Sequence, residues 1–289
     1  MQKARDIKRR IHSVENTRQI TSTMELVAAS KLRRAQQRVT AARPYAAKLN
    51  EVIRSLLTPE LSHTHAILRQ PEVIRRSALI LLTSNRGLAG AFNANLIRLA
   101  QRTLEERRRA GVKVEFHVVG KKGIRFFSYR GEAMTTARQD ITDRPTMDDA
   151  RSLVDPLIAQ YESGEIDAIE VIYAQFKSAM STPPALMRVL PVAAGGDEDG
   201  RRSHNYLLEP SPDEILKFVL PLYVRNSVYR ALVESAAAEQ GARRTAMKNA
   251  TDNANDLIET LTREYNRARQ SQITQEIAEI VGGAEALRG

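Results

Sequence analysis

Apolar side chains recur at alternating steps of four and three residues along both ends of this chain. The first repeat runs from Ile7 to Leu56 with twelve of its fifteen positions apolar, and the second runs from Ile215 to Ala268 with twelve of sixteen apolar. A heptad repeat of this length indicates a long helix whose apolar seam is covered by a partner helix. We therefore predict that the two ends form long helices that pair with each other, joined by a middle domain.

Local signals set the expected bounds of the two helices. The first is predicted over residues 1–58, with Pro44 kinking it or breaking its hydrogen-bond ladder. The second is predicted over residues 211–283, because Ser211 to Glu214 forms a capping box and Gly282-Gly283 supplies a stop after Val281. Its stepping places Leu257 and Glu264 on the seam.

The second helix outruns the first by about 20 Å at 1.5 Å per residue. The last turns of this helix carry an apolar stripe, which is formed by Ile273, Ile277, Ile280 and Val281. Because a lone helix tip with such a stripe is unstable in water, we expect other chains to form a sleeve around it.

The middle of the chain, residues 77–208, alternates between strand and helix patterns. Strands are predicted over residues 78–83, 113–119, 133–137, 168–176 and 186–192, and helices over 91–109, 121–129 and 147–163. This alternation predicts a parallel or mixed sheet with helices on its faces. The fold class is thus α/β plus a long coiled coil.

Composition excludes several classes of functional site. The chain has no cysteine, which rules out disulfides, thiolate metal ligands and cysteine nucleophiles. Only His63 and His65 lie close together among the five histidines, so we expect no histidine metal site. No apolar run approaches the roughly 20 residues of a membrane span.

Two glycine-containing loops resemble phosphate-binding loops only superficially. The loop over residues 195–203 lacks the Lys-Ser/Thr pair and carries three acids, and the loop over 83–90 lacks the first glycine of a dinucleotide site. Carboxylates are available, but no spacing directs two of them to a shared cleft; they are Glu25, Asp140, Asp143, Asp148, Asp149 and Asp155. We therefore expect no catalytic site and no cofactor.

The first 45 residues carry eleven lysines and arginines against three acids, a net charge of +8. Too few acids are present to pair with these bases, which indicates an acidic partner. Nucleic acid, lipid or an acidic protein surface could each be this acidic partner. A basic coiled-coil nucleic-acid-binding protein is therefore one alternative, although the first 44 residues lack base-stacking aromatics. A nucleotide-using α/β enzyme with helical arms is another.

Long motifs at both ends resemble one family. The segments over residues 11–31 and 42–45 closely resemble the N-terminal helix of the gamma subunit, the central stalk of F-type proton-translocating ATP synthases. The loop over 84–90 is similar to that family's first strand-to-helix loop. The matches to its C-terminal helix are Glu234 and the segments 242–243, 246–254 and 265–277.

The resemblance implies an antiparallel two-helix coiled coil, formed by the N- and C-terminal helices, and a central Rossmann-like α/β domain. It implies as partners three alpha and three beta subunits, an epsilon subunit and a ring of c subunits, with no nucleic acid. The chain would be a central rotor, non-catalytic by itself, that couples proton flow to ATP synthesis or ATP hydrolysis to proton pumping. It would lie peripherally on the cytoplasmic side of the cell inner (plasma) membrane.

The resemblance also assigns roles to residues of this chain. Met24 would face the beta-subunit lever, beside four residues of the opposing helix, namely Arg243, Gln270, Thr274 and Glu276. The bearing tip would be Ile273, Ile277, Ile280 and Val281. Tyr206 and Glu209 would contact the c ring and epsilon.

Overall fold

The fold is described by a computed structural model over residues 2–56, 65–192 and 212–286. Along the sequence, one long helix precedes an α/β region and another follows it. The elements are α1 (Gln2–Leu56), a 3-10 turn (Ala66–Leu68), β1 (Arg76–Leu82), α2 (Phe92–Arg109), β2 (Lys113–Val119), α3 (Lys121–Tyr129), β3 (Thr136–Arg138), α4 (Met147–Glu162), β4 (Ala168–Ala174), β5 (Pro184–Leu190) and α5 (Pro212–Ala286).

The chain divides into two compact units. One, the helical-pair unit, comprises Met1–Ala28 and Arg244–Gly289, and the other, the head unit, comprises Ala29–Arg243. Both α1 and α5 therefore contribute residues to each unit.

The helical-pair unit is an antiparallel pair, as the resemblance implied. Thr251 Oγ1 donates to Thr21 Oγ1 at 2.8 Å, and Arg18 Nη1 donates to Asn255 Oδ1 at 3.4 Å. The residue number on α5 rises from 251 to 255 as the number on α1 falls from 21 to 18, so the helices run in opposite directions. The buried residues of their interface are Ile7, Thr21, Ala28, Met247, Ala254 and Leu261.

The seam predicted for α5 is correct at some positions and wrong at others. Ile258 and Tyr265 are half-buried, whereas the predicted Leu257 is 43% exposed and Glu264 is also exposed. Steps of three and four both follow the helix repeat of 3.6 residues, so neighbouring positions compete for the seam. The fit to α1 decides between them.

Neither Pro44 nor Gly282-Gly283 ends a long helix. Helix α1 continues through Pro44, and α5 continues through Gly282 and Gly283 to Ala286 instead of stopping after Val281. Glycine ends a helix when it adopts a positive φ, and neither of these two glycines does so. The start of α5 at Pro212 fits the preference of proline for the first helical turn, while Ser211 lies outside the described residues.

The head unit contains a five-stranded sheet in the order β3-β2-β1-β4-β5. All neighbouring strands are parallel except β4 and β5, so the sheet is mixed, within the range that the alternation predicted. Successive residues of β1 face opposite sides: Ile80 packs in a core with α4, and Leu79 and Leu81 pack in a second core with α2. Covering both faces with helices is what a largely parallel sheet requires.

Gly120 joins β2 to α3 in a conformation that a side chain cannot share. Its φ is +99°, and an added Cβ would lie 2.1 Å from the carbonyl oxygen of Thr83. We expect Gly120→Ala to lower the free energy of unfolding by at least about 3 kcal/mol, since left-handed strain and steric overlap add. Urea denaturation followed by circular dichroism measures the loss.

Gly111→Ala is the matched control for this substitution. Gly111 has a φ of +73° with nothing within 4 Å of an added Cβ, so only the strain of about 1–2 kcal/mol is expected. Equal losses in the two variants would contradict the close packing of Gly120 against Thr83.

Candidate functional site

Helix α5 crosses the carboxyl end of the sheet in a segment that is buried almost all round. Every residue from 231 to 241 is buried, and Arg243 is 8% exposed; we call residues 231–243 the docking segment. Up to Leu232 the helix packs in the core shared with α4, and from Val233 it packs in the core shared with α2 and with Leu32 of α1. The docking segment therefore passes from one face of the sheet to the other.

Polar side chains of the docking segment bond to the backbone at the end of β4. Ser235 Oγ accepts the N–H of Ala174 at 3.1 Å, and a carboxylate oxygen of Glu234 accepts the N–H of Phe176 at 3.2 Å. These amides lie at the point where the sheet ladder ends, and buried amides need a partner. The helix supplies it and is thereby fixed in register along the sheet edge.

Gly241 allows the connection between β4 and β5 to approach the same helix closely. A Cβ at this position would lie 3.2 Å from the carbonyl oxygen of Ala179, which follows β4. A side chain here would make an unusually tight contact with that carbonyl, so the glycine inside α5 favours close packing.

The crevice that binds ligands in open α/β sheets is closed by this helix. Such ligands lie at the carboxyl ends of the strands where the strand order reverses, here at β1 and β4. A cavity of about 30 Å³ remains, and its walls include Thr83, Val119, Leu232, Ser235 and Glu239. This volume suits a single water molecule, whereas a cofactor site needs about 300 Å³ or more.

The loop over residues 83–90 is a structural turn, as its sequence predicts. The Asn85 side chain accepts the N–H of Lys121, the Ser84 carbonyl accepts that of Lys122, and Thr83 Oγ1 accepts that of Gly123. The first amides of α3, which could have held a phosphate, are therefore already bonded within the protein.

The carboxylates noted in the sequence have separate partners. Asp140 pairs with Arg138, Asp143 with Lys31, Asp155 with Arg225 and Asp148 with Arg151, while Asp149 completes the capping box of Thr146. These ion pairs and the cap account for five of the six acids. Over the described ranges, no group of three or more histidine, aspartate or glutamate side chains is arranged to hold a metal ion.

Among these five acids, Asp143 is the one that pairs with a residue of α1. Burial would raise the pKa of Asp143, but the hydrogen bond from Lys31 and the charges of Lys31, Arg86 and Arg144 outweigh burial and hold its pKa below the ordinary value. The 2.6 Å contact between Lys31 Nζ and Asp143 thus joins α1 to the segment that follows β3.

The residues expected to face a beta subunit do not form one cluster. Met24 is half-buried in the helical-pair unit and lines an open groove of about 570 Å³ with Ile20 and Thr23. The register that joins Thr21 to Thr251 places Met24 opposite residues near Met247. Gln270, Thr274 and Glu276 are exposed and begin about 30 Å farther along α5 at 1.5 Å per residue.

The predicted neighbourhood of Met24 is therefore wrong, because the antiparallel register carries those three residues away from it. Arg243 belongs to the head unit and is buried, with its guanidinium bonded to Glu239 and to the carbonyl of Gly87. The residues named from the resemblance thus fall into separate regions of the chain.

The apolar tip of α5 is exposed. By the same register, residues beyond about 270 run past the first residue of α1, and Ile273, Ile277, Ile280 and Val281 are 45%, 56%, 71% and 55% exposed. Tyr206 and Glu209 lie outside the described residues.

Sequence reasoning missed the docking segment as a structural centre. The heptad reading assigned it one apolar seam, whereas it is buried on all sides. Three successive alanines, Ala236 to Ala238, are the available signal, since a helix with small or apolar residues all round is a buried helix.

The architecture defines a class of protein with an antiparallel pair of long helices and an α/β sheet whose ligand crevice is filled by a segment of one of those helices, α5. None of the helices in the described part of the chain is both long and apolar enough to cross a bilayer. A protein-family model described as ATP synthase matches residues 3–287.

Relatives of known identity agree with this class. The chain is 55% identical to the ATP synthase gamma chain of Gemmatimonas aurantiaca, over all of both chains. It is 45% identical to that of Moorella thermoacetica, over 98% of this chain and 99% of the relative. The chain belongs to the ATP synthase gamma chain family. Membership of this family leaves the nucleic-acid interpretation without support.

Solved structures share the fold. A chain from the Euglena gracilis mitochondrial ATP synthase, in an OSCP/F1/c-ring structure, is 19% identical with a TM-score of 0.68, covering 99% of this chain and 94% of that chain. A chain from a central stalk/c-ring structure of the Tetrahymena thermophila mitochondrial enzyme is 24% identical with a TM-score of 0.59, covering 80% and 99%. The long helices and the mixed sheet are therefore shared with these distant chains.

The Lys31–Asp143 pair makes the free energy of unfolding of the head unit depend on pH. We expect Lys31→Gln to lower the free energy of unfolding by up to about 1 kcal/mol at neutral pH, because the pair is partly solvated. The pKa of Asp143 is lowered from 3.8, so this stabilisation is complete above pH 3.8 and is lost as pH falls through the lowered pKa. Urea denaturation from pH 7 to pH 3 measures it.

Lys113→Gln, at an exposed lysine of the same unit, is the control. A gap between wild type and Lys31→Gln that stays constant down to pH 3 would mean that Asp143 is not the partner of Lys31.

Proposed function

We propose that this chain is the central rotor of a proton-driven ATP synthase. A ring of c subunits would turn the head, and the helical pair would turn inside three alpha and three beta subunits, with epsilon bound beside the head. The observation that carries this proposal is the docking segment: α5 is buried for eleven successive residues in the head and continues without a break into the helical pair. A continuous helix anchored in this way can transmit twist.

Rotation would act on the beta subunits through contacts that differ with angle. A ligand or surface shifts a conformational equilibrium only if it binds the two states differently. The basic N-terminal segment, with a net charge of +8 over 45 residues, would meet acidic beta-subunit loops in some orientations and leave them in others. Met24, Gln270, Thr274 and Glu276 would contribute to these contacts at different heights along the helical pair.

The exposed tip of α5 would be held by the surrounding ring. Ile277 and Ile280 are more than half exposed, and an apolar stripe of this kind is stabilised when a partner covers it. A ring of apolar side chains would serve as a bearing, because non-directional contacts allow rotation. Tyr206 and Glu209 would face the c ring and epsilon.

The chain would have no catalytic activity alone, since the nucleotide sites would reside in the alpha and beta subunits. The filled crevice and the bonded amides of α3 support this part of the proposal. It would lie peripherally on the cytoplasmic side of the plasma membrane, attached through the membrane sector.

Co-expression with the alpha and beta subunits of the same synthase tests the proposal. We expect a purified complex with one copy of this chain for three alpha and three beta subunits, whose ATP hydrolysis requires this chain. Failure to co-purify, with the chain binding DNA at low salt instead, would overturn the rotor proposal in favour of the nucleic-acid alternative.

Met24→Lys is expected to weaken coupling in the complete synthase. The added positive charge would form an ion pair with the acidic lever of a beta subunit. This ion pair would hold the rotor at angles where the contact should be released, so fewer protons are pumped for each ATP hydrolysed. Acidification of inverted membrane vesicles, compared with the rate of ATP hydrolysis, measures the ratio.

Gln37→Lys is the matched control, because it adds the same charge at an exposed position of α1 in the head unit. If Met24→Lys pumped as many protons per ATP as wild type, the assignment of Met24 to the beta-subunit contact would be wrong.

A further inference from the structure

Arg243 is buried inside the head unit, and its N–H groups donate hydrogen bonds to other groups of this chain. Its Nη2 donates to a carboxylate oxygen of Glu239 at 2.6 Å and to the carbonyl oxygen of Gly87 at 3.2 Å, and its Nε lies 3.4 Å from the same carbonyl. Because Glu239 lies one turn earlier on α5, it is the bond to Gly87 through which Arg243 joins this helix to another part of the fold.

The loop that presents the Gly87 carbonyl is held from both sides. The Ser84 hydroxyl donates to the carbonyl of Arg86 at 2.5 Å, and its backbone N–H donates to Asn93 at 3.0 Å. Leu88 follows with a φ of 61°, a conformation that costs a residue with a side chain about 1–2 kcal/mol. A strained backbone persists only where its surroundings fix it, so the carbonyl has one direction.

Asn85 links this loop to the segment after β3. Its amide nitrogen donates to the carbonyl oxygens of Gln139 and Ile141 at 3.0 and 2.9 Å. Two residues farther on, Asp143 pairs with Lys31 of α1 at 2.6 Å. A continuous path of polar contacts and short backbone segments therefore runs from α1 through two loops to α5.

Charges at the two ends of this path also act on each other. Burial raises the pKa of Glu239, and the charge and hydrogen bond of Arg243 oppose that rise. The charges of Asp143 and Lys31 act on the same group in opposite directions. The α1 and α5 ends of the path are thus close enough to interact.

Directional contacts are what a twisted joint requires. Apolar packing alone resists separation of two helices but is non-directional, so it resists rotation about a helix axis only through shape. Hydrogen bonds weaken steeply away from their preferred angle, and charge-assisted bonds are the stronger ones.

We propose that the path Lys31–Asp143–Asn85–Gly87–Arg243 is a torsional brace that fixes α1 and α5 to the head, with Arg243 acting as a positioning residue inside the rotor. Rotation of the head would then turn both helices without slip. This inference rests on the rotor function proposed above. It assigns Arg243 to coupling through the shape of the rotor rather than through contact with a beta subunit.

The test uses the complete synthase in inverted membrane vesicles, with Arg243→Gln, the double variant Glu239→Gln/Arg243→Gln, and the control Arg244→Gln. Arg244 is exposed and adjacent, so its variant loses the same charge without touching the brace. Three quantities are measured: ATP hydrolysis, protons pumped per ATP, and the thermal midpoint of the complex.

We expect Arg243→Gln to pump fewer protons per ATP while hydrolysis continues, and Arg244→Gln to match wild type. The double variant removes the uncompensated charge of Glu239, so its thermal midpoint should recover towards wild type while the pumping ratio stays low. This pattern separates a coupling role from a merely structural one.

Three results would overturn the brace. Arg243→Gln could pump as many protons per ATP as wild type, whatever its thermal midpoint. The double variant could recover the pumping ratio together with stability, which would mean that only the unpaired charge mattered. Arg244→Gln could lower the ratio equally. A wild-type complex whose hydrolysis did not require this chain would instead overturn the rotor function itself.

Discussion

Burial of α5 on every side, where it crosses the carboxyl end of the sheet, sets the geometry of the head unit. A helix packed between a sheet and a second helix can be buried on every side only where its side chains are small, apolar or bonded within the protein. Alanines 236 to 238 meet this requirement, and Gly241 admits the backbone of the loop after β4. The position of α1 follows from the same contact, since Leu32, Ala35 and Val39 share a core with Val233 and Ala237. Within the head unit, α1 and α5 therefore share one core with the sheet.

The same contact decides what the α/β region can do. In an open parallel sheet, the carboxyl ends of the strands are where ligands bind, because loops diverge there and leave a crevice. Here α5 fills the crevice, and its polar side chains bond to amides at the end of β4. The place where other sheets of this kind bind a ligand is here the place where the α/β region packs against α5. That packing suits membership of the gamma chain family, in which we propose that the chain transmits torque.

The two ends of the helical pair differ in what covers them. Near Thr21 and Thr251 each helix buries its seam against the other, whereas beyond about residue 270 α5 runs past the start of α1 and its apolar side chains are exposed. An exposed stripe and a basic N-terminal segment are both surfaces that partner chains would complete. In the proposed rotor, the polar brace would hold the long helices to the sheet within the head unit, and the exposed tip of α5 would turn in a bearing.

Periodicity in the sequence determined much of this fold. The heptad repeats located α1 and α5, and the alternation of strand and helix patterns located every strand of the head to within a few residues, because apolar spacing reflects which side of an element is buried. The stop predicted at Gly282 was wrong, since glycine permits a chain to leave a helix without requiring it. Tertiary structure alone decided that Ile258 rather than Leu257 lies on the seam, that Met24 is far from Gln270, and that Arg243 bonds to Gly87. These depend on register and on contacts between residues far apart in sequence, which local spacing does not encode.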